Sequence, residues 1–319
     1  MSLTPQVDVV GVGLNATDTL IHLAEFPACG SKIEYRHETV MPGGQVASAM
    51  VACQTWGLRT RYVGKVGDDD AARLHAREFA RTGVDARLIT VANAASPRSL
   101  VLVDGHGERT VLCRRDERLI LQPEELERDW IVHARVLHVD GYDTAAATHA
   151  ARWAKEAGIP VTADLDETYP GVEALMENAD YLIVSRDFPR RIMEEGDLRS
   201  ALRKMQSRFG SSLTAATLGP DGVLAWDGRE FHAIAAYRVP VVDTTGAGDI
   251  FHAGFLYGLL QGWELERQLD FSCAAAAMNC MADGARGGIQ TVAAIEAFMA
   301  SAPRYQRSDD PQAPYKVLA

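Results

Sequence analysis

The run Asp-Thr-Thr-Gly-Ala-Gly-Asp, from Asp243 to Asp249, combines a glycine-rich turn with a carboxylate. It lies between a strand-like run, Tyr237 to Val242, and a helix-like run, Ile250 to Leu260. The first N–H groups of a helix have no partner inside it and the helix dipole adds positive charge, so an anion is favoured there. This arrangement suits group transfer, because the N–H groups would stabilise phosphoryl charge while Asp249 takes a proton from an attacking hydroxyl. The alternative is a plain glycine turn with an acidic first helical turn.

A second acidic pattern, Asp164-Leu165-Asp166, follows a predicted strand. Ligands of open α/β sheets bind at the carboxyl ends of the strands. Two carboxylates spaced in this way could hold Mg2+ through water, or they could simply be solvated in a loop, and both interpretations stay open. By contrast, the run Asp68-Asp69-Asp70 is better explained as the cap of the following helix than as a cation site.

Two other classes of nucleotide-binding protein receive little or no support from the sequence. Gly11-Val12-Gly13-Leu14-Asn15-Ala16 follows the first predicted strand and matches the dinucleotide pattern GxGxxA. A dinucleotide unit needs a helix directly afterwards, whereas Leu20 to Val40 contains Pro27 and Gly30 and has no helical stripe. The sequence also contains no Walker A string. Neither a nicotinamide enzyme nor a P-loop NTPase is therefore expected.

Strand-like and helix-like runs alternate through most of the chain. The strand Val7 to Val12 opens the series, and Leu213 to Leu218 leads into a hairpin-like stretch near its end. Repeated alternation of this kind predicts a mostly parallel sheet with helices on both faces. Ser99 to Val103 and Arg109 to Cys113 flank the turn Asp104-Gly105-His106-Gly107 and predict a hairpin of a separate small sheet. From Ala247 to Ala300 the chain is predicted to be almost all helical.

Composition excludes several classes of protein. The 319 residues carry a formal net charge of -11, which gives no support to a nucleic-acid-binding face or a polybasic membrane patch. The N-terminus lacks the pattern of a signal peptide, and the apolar run Cys273 to Met281 is too short to span a bilayer. Five scattered cysteines without a CxxC pair indicate a reduced cytoplasmic protein with buried thiols.

From about Val7 to Met299 the chain resembles the ribokinase-like (PfkB) carbohydrate kinase family. Val242 to Asp249 is similar to the C-terminal signature of that family. Pro42-Gly43-Gly44-Gln45-Val46-Ala47-Ser48-Ala49, followed by Val63 to Asp69, resembles the N-terminal signature. Thr217-Leu218-Gly219-Pro220-Asp221-Gly222 is similar to the nucleotide-loop string of the family. The three strings occur in the order that the family shows.

The resemblance implies a three-layer α/β/α ribokinase-like fold with a small β-sheet lid. It assigns a large domain to residues 1–17, 42–96 and 115–302, the lid to 18–41 and 97–114, and a tail to 303–319. The implied ligands are a small sugar, ATP and Mg2+, with K+ as a possible activator; no nucleic acid or membrane partner is expected. The implied residues are Asp249 as base with Gly246, Ala247 and Gly248 as the anion site; Asp18, Gly43, Gly44, Gln45 and Asp140 for sugar; Thr217, Gly219, Asp221, Gly222 and Ser185 for nucleotide; and Asp166, Asp243, Thr245, Ala282 and Gly284 for metal ions.

Two departures from the family pattern bear on the site. The usual NxxE motif is replaced by Ser185-Arg186-Asp187-Phe188, so Asp166 or Asp187 would have to compensate in holding Mg2+. Gln45 and Ser48 stand where Asn is usual, so the sugar pocket differs from that of a typical ribokinase.

We therefore expect an ATP-dependent kinase for a ribose-, fructose- or related ketose-like sugar. A nucleoside kinase on the same scaffold and a non-catalytic sugar- or nucleotide-binding protein are the alternatives. Strands around Lys32 to Val40, Ser99 to Val103 and Arg109 to Cys113 are too few for an independent core, so the lid is predicted to pair in a homodimer. Its apolar face is expected to contain Ile33, Val101, Val103 and Val111.

Overall fold

The computed structural model describes residues 6–105 and 109–305. Its larger sheet has nine strands in the order β13-β12-β11-β10-β9-β8-β1-β4-β5. Seven run parallel, and the pairings of β12 with β11 and with β13 are antiparallel. The strands are β1 (Val7–Val12), β4 (Thr60–Val66), β5 (Asp85–Thr90), β8 (Ala134–Asp140), β9 (Val161–Leu165), β10 (Tyr181–Ser185), β11 (Leu213–Thr217), β12 (Val223–Trp226) and β13 (Phe231–Ile234). The predicted parallel sheet and terminal hairpin are confirmed.

Helices cover both faces of this sheet. They are α1 (Gln45–Thr55), α2 (Asp70–Thr82), α3 (Arg128–Ile131), α4 (Thr144–Glu156), α5 (Val172–Met176), α6 (Phe188–Met193), α7 (Leu198–Phe209), α8 (Ala247–Leu260), α9 (Leu265–Asn279) and α10 (Val292–Ser301). Helices α1, α8 and α9 contribute to one hydrophobic core and α4, α5 and α7 to the other. Because neighbouring strand residues point to opposite faces, Val9 packs in the first core and Val10 in the second. Burial on both faces explains why β1 is apolar at every position except Asp8.

A four-stranded sheet, in the order β3-β2-β6-β7, forms the lid. Its strands are β2 (Ala16–His22), β3 (Glu38–Gly43), β6 (Arg98–Val103) and β7 (Arg109–Arg114). Strands β6 and β7 form the predicted antiparallel hairpin; His106 and Gly107 of its predicted turn lie outside the described residues. The division of the chain into domains at the predicted residue limits stays a prediction.

The strand predicted around Lys32 to Val40 is wrong in its position. The structure begins that strand at Glu38, and a strand that the sequence pattern did not reveal, β2, runs from Ala16 to His22. Polar Thr17, Asp18 and Thr19 interrupt its apolar pattern, although threonine is a good strand former. Because β1 leads into β2 of the lid and not into a helix, the dinucleotide interpretation of the GxGxxA pattern fails, as expected.

The helix cap that the sequence predicts within Asp68 to Asp70 is found at Asp69. This residue is the N-cap of α2, and its Oδ1 accepts a hydrogen bond from Ala72 N at 3.0 Å. The predicted capping role is confirmed. No helix within residues 6–105 and 109–305 combines the length and the apolar character that a membrane span needs.

Candidate active site

The glycine-rich run forms the N-terminus of α8. Gly246 is the N-cap residue with φ 75°, a left-handed conformation that favours glycine. A Cβ atom there would lie 2.4 Å from Ala285 O, so the turn packs tightly against the loop after α9. A Cβ atom at Gly248 would meet nothing within 4 Å. Open space therefore lies beside the start of α8, where the helix N-terminus favours an anion.

Asp243 fixes the shape of this turn. Its Oδ1 accepts hydrogen bonds from Thr245 N at 2.9 Å and Thr245 Oγ1 at 2.8 Å. Its Oδ2 accepts a hydrogen bond from Gly284 N at 2.8 Å. Asn279, which the sequence patterns did not reveal, donates from Nδ2 to Thr245 O and Ala285 O. The residues predicted to hold a monovalent ion, including nearby Ala282, thus come together, with the Asp243 carboxylate engaged by the protein itself.

Asp249 lies in the first turn of α8. Desolvation raises the pKa of its carboxyl group to about 7, with further contributions from the negative charges of Asp164 and Asp18. The Arg286 guanidinium acts in the opposite direction. A carboxylate with a pKa near neutrality is suited to general-base chemistry, because it can both accept and release a proton at ordinary pH.

A buried pair lies behind the base. Asp164 is the penultimate residue of β9, and its Oδ1 lies 3.1 Å from Nε2 of His252. His252 follows Asp249 by one turn of α8. Desolvation raises the pKa of Asp164 well above its usual value, and the charge of Asp166 adds to this effect. Desolvation lowers the pKa of His252 to about 3. The pair connects the end of the central sheet to the helix that carries the base.

The residues predicted to bind sugar surround the start of α1 and the lid strand β2. A Cβ atom at Gly43 would lie 2.1 Å from Asp18 Oδ2, so only glycine leaves room for this carboxylate. Gly44 is the N-cap of α1 with φ 94°, and Gln45 hydrogen-bonds to Asp166. Desolvation raises the pKa of Asp18 to about 6. These residues line the side of the site opposite the α8 turn.

Asp140 has a different environment from the other predicted sugar ligands. It is fully buried at the end of β8, and its carboxylate accepts hydrogen bonds from Leu14 N at 2.7 Å and Tyr142 N at 2.9 Å. A Cβ atom at Gly13 would lie 2.5 Å from Asp140 Oδ2. These contacts make Asp140 a support for the turn after β1, and its predicted contact with sugar stays a prediction.

Two arginines reach the same site, and no sequence pattern assigned a role to Arg286. Arg286 donates from Nε to Ser48 Oγ at 3.1 Å and from Nη2 to Gly43 O at 2.8 Å. Arg109, on lid strand β7, hydrogen-bonds through Nη1 to Thr244 Oγ1. Both positive charges oppose the rise in the pKa of Asp18. The lid therefore contacts the α8 turn directly.

A cavity of ≈ 210 Å³ opens on the other side of the α8 turn. Its lining includes Thr217, Gly219 and Gly222 of the predicted nucleotide loop together with Ala247 and Gly248. Two residues assigned to nucleotide binding lie beside it: Asp221 pairs with Arg186, and Ser185 donates to Asp166 O at 3.2 Å. The start of α8 thus borders a mostly apolar cavity, while Asp249 in its first turn has Asp18, Asp164 and Asp166 as acidic neighbours.

The residues around Asp166 fit a divalent cation. Asp166 Oδ1 is buried and has no hydrogen-bond partner among the described residues. Besides desolvation, the charge of Asp166 raises the pKa of Asp164, and the charges of Asp164 and Asp166 raise that of Asp249; a cation would reverse these effects of charge. In the described part of the chain, three side chains close enough to share one ion occur at Asp227, Glu230 and His232, away from Asp166. A cation at Asp166 would therefore need ligands from water or phosphate as well.

Comparison with known proteins decides the family. The family model described as pfkB family carbohydrate kinase matches residues 9–292. The chain belongs to the pfkB family of carbohydrate kinases.

Named members of this family cover nearly the whole chain. An ATP-dependent ribose-1-phosphate kinase of Halopiger xanaduensis is 30% identical over 302 residues, covering 92% of this chain and 98% of the relative. A 5-dehydro-2-deoxygluconokinase of Bacillus licheniformis is 29% identical over 283 residues, covering 81% and 86%. A crystal structure from Agrobacterium tumefaciens, provisionally assigned as a ribokinase, has a TM-score of 0.86 and 27% identity, covering 92% of this chain and 97% of that one.

Membership of the pfkB family confirms three predictions. The chain is a carbohydrate kinase, a phosphotransferase that uses an alcohol group as acceptor. It has the ribokinase-like fold with a mostly parallel sheet and a smaller lid sheet. Kinases of this family use ATP, so the predicted nucleotide is supported as well. The roles of individual site residues are not tested by these similarities and stay predictions.

Proposed function

We propose that this pfkB kinase phosphorylates a hydroxyl group of a ribose-, fructose- or related ketose-like sugar bound between Asp18, Gly43 and Asp249. The observation that carries the proposal is the position of Asp249. Its carboxyl group, with a pKa of about 7, stands at a helix N-terminus close to the acidic residues Asp164 and Asp18 and beside the cavity that the predicted nucleotide loop lines. A base in that position can meet both the sugar hydroxyl and the phosphoryl group.

The reaction then follows from the geometry. The hydroxyl oxygen of the sugar attacks the γ-phosphorus of ATP, and the hydroxyl proton passes to the Asp249 carboxylate. The bond between the γ-phosphorus and the bridging oxygen breaks, and ADP leaves. The N–H groups at the start of α8 would stabilise the charge of the transferring group, because a helix N-terminus favours an anion without having to reorganise. The lid excludes water and so suppresses hydrolysis of ATP.

Asp166 would hold Mg2+, with Gln45 and Ser185 beside it. Mg2+ would neutralise charge on the phosphates. Asp166 takes this role because Ser185 and Phe188 stand where the family pattern places its NxxE motif. K+ would bind near Asp243 through backbone oxygens, because the Asp243 carboxylate already accepts three hydrogen bonds. The five cysteines are free thiols, which fits a reducing cytoplasm. The prediction that they are buried holds for Cys53, Cys273 and Cys280 and is wrong for Cys29 and Cys113, which are exposed.

A coupled ADP-release assay tests the proposal. The panel contains pentoses, ketohexoses, sugar phosphates, keto-deoxy sugar acids and nucleosides, each in KCl and in tetramethylammonium chloride at equal ionic strength. We expect turnover with a sugar or sugar phosphate and higher rates in KCl. Turnover confined to nucleosides would replace the proposal with a nucleoside kinase. ATP binding without turnover on any substrate would favour the non-catalytic alternative.

A further inference from the structure

The end of the described chain lies against the nucleotide cavity. Residues 303–305 pair with residues 236–238, which follow β13. Arg238 N donates to Pro303 O at 2.8 Å, and Tyr305 N donates to Ala236 O at 3.0 Å. Tyr305 thereby becomes part of the cavity lining, together with Tyr237. This segment belongs to neither the nucleotide loop nor the α8 turn.

Arg304 holds the segment in place. Its Nη2 lies 2.6 Å from Asp270 Oδ1 on α9, and its Nη1 donates to Ala235 O at 3.1 Å. The guanidinium lies over the Tyr237 ring, 3.9 Å from the centroid. Tyr237 is buried, and its hydroxyl donates to the same Asp270 oxygen at 3.0 Å. A cation, a carboxylate and an aromatic ring thus fix the backbone on either side of the cavity.

The residues that line the cavity indicate which part of ATP, apart from its phosphates, it would bind. Apart from the two threonines near the phosphate end, its walls are mainly apolar and aromatic, including Val239, Phe251 and Ala277. Such walls recognise a planar base through burial and stacking more than through hydrogen bonds. An aromatic residue at the rim supplies the surface that this mode of binding needs.

We propose that Tyr305 forms a wall of the base-binding half of the ATP site and that Arg304 is the residue that positions it. The inference rests on the proposed use of ATP and adds the C-terminal segment to the nucleotide site. It predicts that the contribution of Tyr305 depends on the purine base and not on the phosphates. Arg304 acts through the segment, so its effect should have the same dependence.

Direct binding measurements on the full chain test this without a sugar. We expect Tyr305→Ala to raise the Kd for ATP roughly ten-fold, the scale of a lost base–aromatic contact, and Tyr305→Phe to bind nearly as wild type. Inorganic tripolyphosphate, which has no base, should bind equally to wild type and Tyr305→Ala. Arg304→Ala should weaken ATP in the same selective manner. Arg208→Ala, which removes a surface pair with Glu173, is the matched control and should change nothing.

The possible outcomes distinguish the role of Tyr305 from the proposed kinase function. Wild-type protein that binds no ATP would remove the proposed function itself. Wild-type binding with an unchanged Kd in Tyr305→Ala would overturn the role of Tyr305 and leave the kinase proposal standing. An equal loss of ATP and tripolyphosphate would also overturn it, because the defect would then be general. Thermal melts of each variant identify any loss of folding. If Tyr305→Ala does not fold, the Kd for ATP is compared between Tyr305→Phe and Tyr305→Leu instead.

Discussion

At the scale of single residues, the raised pKa of Asp249 suits the proposed role as a base and lowers the stability of the folded chain at neutral pH. Its pKa of about 7 in the folded chain exceeds the usual carboxyl value because of desolvation first and the charges of Asp164 and Asp18 second. A raised folded-state pKa means that the folded chain binds this proton more tightly than the unfolded chain. The associated stability is present at low pH and is lost as pH rises through about 7.

Asp249→Asn should therefore separate activity from stability. We expect kcat to fall by about 10²–10⁴, the usual cost of a lost general base. Wild-type kcat should rise with pH around neutrality as Asp249 ionises, and the residual rate of the variant should lack this rise. The Tm of the variant relative to wild type should increase between about pH 5.5 and pH 8. A variant that keeps half of wild-type kcat would show that Asp249 is not the base.

The second prediction for a single residue concerns Asp166 and the Mg2+ requirement. Because Asp166 Oδ1 is buried without a partner in the described structure, we expect Asp166→Ala to raise the half-saturating Mg2+ concentration roughly 10–100-fold. A Mg2+ titration of initial rates measures the effect. Asp187→Ala is the control, since Asp187 is largely exposed and faces Arg190. If the Asp187 variant shifts and the Asp166 variant does not, the metal contact belongs to Asp187.

Sequence reasoning reached the residues that lie within short strings but not those that meet through folding. Asp249 and Gly246 stand in one string, and elementary helix chemistry gives their roles. Arg286 contacts Ser48 and Gly43 across the whole chain, and no local pattern records such a contact. Asn279 likewise acts on two loops that only the fold brings together. Contacts of this kind depend on tertiary packing, which a single sequence does not display.

At the scale of elements, the α8 turn contains two glycines with opposite requirements. Gly246 needs its left-handed φ and has no room for a Cβ atom, whereas Gly248 is in ordinary helical conformation beside open space. Gly248 keeps space free for the substrate, and Gly246 makes the turn.

The matched pair Gly246→Ala and Gly248→Ala tests this division. Gly246→Ala should lower the free energy of unfolding by at least roughly 1–2 kcal/mol, because alanine is strained in the left-handed region. Gly248→Ala should leave the stability unchanged or raise it by roughly 0.5–1 kcal/mol, since alanine favours helix. It should instead lower kcat/KM for ATP, by roughly 10²-fold if the phosphoryl group is displaced by about 1 Å. Equal stability of the two variants in urea unfolding would contradict the assignment.

Lid strands show where element prediction succeeds and fails. The hairpin of β6 and β7 was predictable because two alternating runs flank a glycine-containing turn. Strand β2 was missed because it pairs with β3 and β6, which are distant in the chain, and contains a polar run that includes the buried Asp18. A strand whose polar residue serves a site does not show the apolar pattern that marks ordinary strands.

At the scale of the whole molecule, the lid leaves an apolar surface uncovered. Val40 and Leu112, each 54% accessible, lie on the same face of the lid sheet, because Val40 pairs with Thr19, Thr19 with Leu100 and Leu100 with Leu112. Ile33 is also exposed, and Val111 is exposed on the opposite face. Of the four residues predicted to form this surface, Val101 and Val103 are instead buried inside the protomer against Leu20. An exposed apolar sheet face favours association with a second copy. We therefore propose a homodimer in which the two lids pair, with Leu112 and not Val101 at the centre of the interface.

Leu112→Glu should convert a lid-paired dimer into a monomer, because a charge buried in an apolar interface is costly. Sedimentation at micromolar concentration measures the mass. Ala297→Glu, on the exposed side of α10, introduces the same charge elsewhere and should leave the mass unchanged. A fully active wild-type monomer would remove the dimer from consideration.

The two separate insertions that build the lid have a consequence for how the chain folds. Strand β2 follows β1, whereas β6 follows β5, and the lid exists only when Thr17 pairs with Arg98. Closing so long a loop costs entropy, and the pairing of β1, β4 and β5 must offset this cost first. The lid should therefore assemble late.

All five tryptophans, Trp56, Trp130, Trp153, Trp226 and Trp263, lie outside the lid strands. In refolding from urea, intrinsic fluorescence should thus recover before kinase activity, and a probe introduced as Leu112→Trp should follow the activity. A single rate constant for all three signals would mean that the lid and the large sheet form together.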